Sequence, residues 1–99
     1  MSIKVVTICG SMKFAKEMQV IATNLETQYG YAVIQCVDIL RNEITSEQMQ
    51  KVVDAHFKKI DISDSIYVVN INGYIGESTK REIEYATKHG KQIIYHEKI

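Results

Sequence analysis

Three groups of residues in this chain could do chemistry. The first is Cys9-Gly10-Ser11-Met12-Lys13. Gly10 permits a tight turn, and Ser11 can cap a helix that follows. Such a helix start offers free N–H groups and a positive dipole end to an anion, with Lys13 adding charge. The GxxxxGK spacing of a P-loop is missing. A plain strand-to-helix turn with a serine cap would use the same residues. Cys9 beside a helix start could also have the lowered pKa of a nucleophile. A buried strand cysteine is the expected role.

The second group is NINGYIGESTKREIEYA, Asn70 to Ala86. It offers Asn70, Gly76 and Ser78 on a loop and Glu82 near a helix start. Thr79-Lys80-Arg81-Glu82 fits a capping box, with Glu82 returning to the Thr79 N–H. A carboxylate near free N–H groups is also held ionised, so the same helix end suits catalysis. The third is His56, flanked by Asp54 and Asp61 on an apolar stripe, with Asp64 further on. A lone histidine there is most often hydrogen-bonded at the edge of a core, although its ordinary pKa suits proton transfer. His56, His89 and His96 are not at metal-ligand spacing, and Cys9 and Cys36 form no CxxC pair. No metal site and no cofactor are expected.

The elements that must position these groups alternate along the chain. Ile3–Cys9 and Tyr31–Val37 are short apolar runs that predict strands. Between them Phe14, Met18, Ile21, Ala22, Leu25 and Tyr29 recur at helical steps, and Gly30 stops the helix. Asp38–Thr45 reads as a polar connection. A second helix begins at Thr45 or Ser46, with Met49, Val52, Val53, His56, Phe57 and Ile60 on its apolar face. Ser65–Ile71 predicts a third strand, about Thr79–His89 a third helix stopped by Gly90, and Gln92–His96 a fourth strand.

This β-α-β-α-β-α-β order implies parallel strands, right-handed crossovers and helices on both faces. The expected fold is a three-layer α/β/α, flavodoxin- or Rossmann-like, with four parallel strands in order 2-1-3-4. Its ligand crevice would lie where the winding reverses, at the carboxyl ends of the first and third strands. The CGSMK turn and the Asn70–Ser78 loop meet there.

Length and charge bound the function. Ninety-nine residues with 45% hydrophobic and 24% charged content predict one soluble domain over 1–99. Twelve basic and twelve acidic residues balance. That argues against a duplex nucleic-acid binder and a polybasic membrane-surface protein. No apolar run is long enough to span a bilayer. The start lacks a signal-peptide layout, so a cytoplasmic protein with reduced cysteines is expected. A domain this small gains from self-association, and a homodimer or higher homo-oligomer is expected.

The strand ending in CGS, the stretch from DSIYVVNI to REIEYA and the closing KQIIYH together resemble the nucleoside 2-deoxyribosyltransferase-like superfamily, which includes deoxynucleoside-monophosphate N-hydrolases. The resemblance covers nearly the whole chain. It implies an enzyme that cleaves or transfers at an N-glycosidic bond of a nucleoside or nucleotide. Glu82 matches the family's carboxylate nucleophile, which attacks the anomeric carbon as in a retaining glycosidase. Ser11, and more loosely Lys13, match residues that contact phosphate in the hydrolases. Gly10, Asn70, Gly76 and Ser78 complete the expected substrate contacts.

The chain departs from the family at three places. Thr7 replaces an aromatic residue in the first strand. His56 stands where an aspartate is expected on the second helix, and could donate a proton to the leaving base. The loop before Glu82 is slightly longer. A non-catalytic nucleotide-binding module is the alternative reading. A phosphocysteine-forming domain, a third reading, would need a second glycine and further hydroxyls where Met12, Phe14 and Ala15 stand.

Overall fold

The computed structural model describes residues 2–37 and 43–98, so the expected connection Asp38–Thr45 lies largely outside the described residues. The elements are β1 (Val5–Cys9), α1 (Ala15–Tyr29), β2 (Ala32–Ile34), α2 (Ser46–Asp61), β3 (Ser65–Val68), α3 (Glu77–Lys88) and β4 (Gln92–Tyr95). All strand pairs are parallel, and the sheet order is β2-β1-β3-β4. The expected fold class is the observed one. β1 pairs with β2 through Thr7–Ile34 and with β3 through Cys9–Val68, so the winding reverses at β1 and β3.

The period of two along β1 sorts its side chains between the two helical layers. Ile8 joins Met18, Ile21, Ala22 and Leu25 of α1 in one core cluster. Cys9 faces the other way, into a cluster with Ile60 of α2, Ile66 and Val68 of β3 and Ala86 of α3. Thr7 points to that same side, where its hydroxyl meets the Ser63 hydroxyl at 2.6 Å and the Lys59 carbonyl at 3.1 Å. The Thr7 departure thus ties β1 to the end of α2. Asp64 is spent on the sheet as well, accepting the Val5 N–H at 2.8 Å.

The helix ends follow local chemistry. Thr45 and Gln48 form a reciprocal capping box that opens α2. Gly30 closes α1 with φ at +70°, a left-handed conformation favouring glycine. α3 departs from expectation. It starts at Glu77, with Gly76 as its N-cap and no side-chain cap bond. Thr79 lies inside the helix and is 2% exposed. The capping box expected from Thr79 to Glu82 is therefore not formed, because that helix begins about half a turn earlier. Strands β1, β2 and β3 are also shorter than their apolar runs.

No helix among the described residues is long and apolar enough to cross a membrane.

Candidate active site

The cavity at the carboxyl ends of β1 and β3 has a volume of about 530 Å³, within the range of small-molecule sites. Gly10, Ser11, His56, Gly76, Ser78 and Glu82 all line it. Six of the eight candidate residues from three separate segments thus share one space.

Glu82 reaches it from the inward stripe of α3. Thr79, Glu82 and Ala86 repeat at helical steps of three and four, and Thr79 and Ala86 are both buried. A carboxylate on that stripe needs a partner, since burying an unpaired charge is costly. The partner is His56, from the inward stripe of α2 one turn before Ile60. Its Nε2 lies 3.5 Å from Glu82 Oε1, and the two side chains are 9% and 16% exposed.

Both cysteines join this pair. Cys9 Sγ lies 3.6 Å from His56 Nε2, and Cys36 Sγ lies 3.5 Å from His56 Nδ1. Burial opposes the imidazolium of His56, but hydrogen bonds to Cys36, Cys9 and Glu82 outweigh it and raise the pKa. Burial pushes the Cys9 thiol up to about 12, only partly offset by its hydrogen bond to His56. Cys9 is therefore a thiol near neutral pH, with 0% exposure, and not the low-pKa nucleophile of a phosphocysteine domain.

The remaining two candidates stand elsewhere. Asn70 is fully buried, and its amide holds the backbone of Glu97 at both ends, at 2.9 and 2.8 Å. It fastens the segment after β4 and does not line the cavity. Lys13 places its ammonium 3.4 Å from the centre of the Tyr74 ring, a cation–π contact. Tyr74 lines the cavity, so Lys13 stands behind a wall residue.

Ser11 caps the short turn Met12–Phe14 by accepting the Lys13 N–H at 3.3 Å. Gly10 is needed for close packing: a Cβ there would lie 3.0 Å from Met18 Sδ and 3.1 Å from Val69 Cβ.

Cys36, Met49, Lys51, Tyr74 and Arg81 line the cavity as well, although the sequence alone does not mark them as site residues. Met49 lies on the apolar face of α2, as its spacing predicts, and is 37% exposed at the cavity wall. Tyr74 sits in the loop already singled out for its glycines. Lys51 and Arg81 add positive charge to the cavity wall, and the first turn of α3, which has no side-chain cap bond and carries the acidic Glu77, lines it through Gly76 to Thr79.

Compared with family models, curated proteins and solved structures, the chain finds no match in any of the three.

Proposed function

We propose that the chain cleaves or transfers at the N-glycosidic bond of a nucleoside or nucleotide, as its sequence resemblance to the nucleoside 2-deoxyribosyltransferase-like superfamily implies, with Glu82 as nucleophile. The observation that carries this reading is the Glu82 carboxylate. It projects from the inward stripe of α3 into a cavity of about 530 Å³, held by a histidine from another helix. A Glu82 oxygen bonds to the anomeric carbon as the carbon–nitrogen bond to the base breaks. The base leaves with that electron pair and takes up a proton. Water, or a second base, then displaces the ester and frees Glu82.

In-line attack puts the leaving base on the sugar face opposite Glu82. His56 lies 3.5 Å from the attacking carboxylate, on the nucleophile's side. A retaining acid normally stands about 5–5.5 Å away from its nucleophile, across the scissile bond. The geometry therefore favours His56 as a positioning residue that orients Glu82 over His56 as proton donor to the base. The uncapped N-terminus of α3, with Arg81 and Lys51, suits a 5′-phosphate.

The test is a panel of ribo- and deoxyribonucleosides and their 5′-monophosphates, assayed for free base. The native chain is expected to release base. Glu82→Gln, nearly isosteric but a far poorer nucleophile, is expected to bind within a few fold and release none. Base release by Glu82→Gln at the native rate overturns the assignment. Binding without release by the native chain gives the non-catalytic module instead.

A further inference from the structure

Cys9 Sγ, His56 Nε2 and a Glu82 carboxylate oxygen lie within 4.8 Å of one another; His56 and Glu82 line the cavity, and Cys9 is buried behind them. Each comes from a different element: β1, α2 and α3. As hydrogen bonds their contacts are poor. Glu82 Oε1 is 3.5 Å from His56 Nε2, where a well-formed N–H···O bond spans about 2.7–3.2 Å. The single hydrogen on Nε2 also has Cys9 Sγ at 3.6 Å as a neighbour, and it cannot serve both.

The two separations from His56 Nε2, 3.6 Å to Cys9 Sγ and 3.5 Å to Glu82 Oε1, match the edges of a tetrahedral coordination shell. Bonds of about 2.3 Å to sulfur and about 2.0 Å to nitrogen and oxygen put such ligands roughly 3.3–3.6 Å apart. Cys36 stands beside the histidine without competing for the site: its thiol donates to the Ile8 carbonyl at 3.3 Å, and its sulfur lies at similar distances from both ring nitrogens, 3.5 Å from Nδ1 and 3.8 Å from Nε2, in line with neither N–H.

We infer that Cys9, His56 and Glu82 bind a divalent cation of the zinc class, with a fourth coordination position open to the cavity. The mixed sulfur, nitrogen and oxygen set suits zinc and its neighbours and not magnesium or calcium, which take oxygen ligands. Ile60 of α2, Ile66 of β3 and Ala86 of α3, all 0% exposed, pack with Cys9 of β1 in one buried cluster that holds the ligand-bearing elements together. In the metal-free chain, protons on Nε2 and on the Cys9 thiol fill the site, and the cation displaces them. A carboxylate oxygen on the cation is not free to attack a sugar, so the loaded site and the nucleophile role exclude each other. The cation site stands on its own geometry, independent of the proposed reaction.

The experiment titrates Co²⁺ alone into the full chain, reduced with a phosphine and stripped of metal beforehand. Strong visible bands of a tetrahedral site are expected at one equivalent, with a near-ultraviolet thiolate-to-cobalt band, and Zn²⁺ should bleach both. Cys9→Ser should lose the thiolate band and Cys36→Ser should keep it. Glu82→Gln should weaken cobalt binding by roughly tenfold or more, and its carboxylate faces the cavity, so it keeps the test open if Cys9→Ser does not fold. Weak octahedral bands without a thiolate band in the native chain overturn the site. So does a thiolate band lost in Cys36→Ser but kept in Cys9→Ser, or unchanged cobalt affinity in Glu82→Gln. An intact cobalt spectrum with no base release counts against the proposed reaction alone, and the reverse counts against the cation site alone.

Discussion

Glu82 sits on a helix stripe whose neighbours, Thr79 and Ala86, are buried, and a carboxylate is stable there only with a partner. His56 is that partner, which explains why a histidine occupies an otherwise apolar stripe of α2. Thr7 shows the opposite case, a polar residue that is purely structural. Its hydroxyl is fully buried between Ser63 and Lys59 and reaches no ligand space. Thr7→Val should cost about 1 kcal/mol, because Ser63 keeps its own bond to the Lys59 carbonyl at 2.7 Å and is not orphaned. For a domain of this size that is a fall in Tm of about 4–8 °C by calorimetry. Nucleotide affinity should stay within twofold. A larger loss of affinity than of stability would show that Thr7 acts on the site.

α3 sets the site through where it starts. Gly76 has φ −76° and ψ 169°, an N-cap conformation that any residue adopts, yet it offers no capping oxygen. The N–H groups of the first turn therefore have no side-chain cap. A Cβ at Gly76 would meet only the Tyr74 side chain, at 3.5–3.9 Å, so a larger residue fits. Gly76→Asp should therefore raise stability by a few tenths of a kcal/mol, or about 1–3 °C in Tm. It should also erase any preference for a 5′-monophosphate over its nucleoside, since the carboxylate takes the anion's place. Titration calorimetry with the two ligands reads the difference; an undiminished preference would place the phosphate elsewhere. The strand order was legible at this scale, because alternating apolar runs and helical stripes leave few topologies. The start of α3 was not. Thr79 and Glu82 imitate a capping box, while the residue that caps, Gly76, carries no side chain to read. Nor was the cluster of Cys9, His56 and Glu82 legible. Cys9 and His56 alone are 47 residues apart, and only the crossovers bring them together.

Across the whole molecule, the sheet separates two cores, and His56 and Glu82 stand on the side of only one of them. Leu25 belongs to the cluster between the sheet and α1 and is 5% exposed. Ile60, at 0%, belongs to the cluster between the sheet and the other two helices, one turn beyond His56. Truncating either to alanine removes comparable apolar volume and should cost about 2–5 kcal/mol in urea denaturation. A domain of about 100 residues has only about 5–15 kcal/mol in all, so both variants are measured well below their lowered melting temperatures. Their effects on the site should diverge. Leu25→Ala leaves α2, α3 and the floor of the cavity in place, and nucleotide affinity should stay within about twofold once the folded fraction is counted. Ile60→Ala opens a cavity under α2 and lets His56 drift from Glu82. Catalytic geometry tolerates little of this: a displacement of about 1 Å can cost roughly 10²-fold in rate. Base release by Ile60→Ala should therefore fall far more than binding, while Leu25→Ala keeps both. Equal losses in the two variants would mean that the sheet does not insulate the site, and that its geometry depends on the stability of the whole domain.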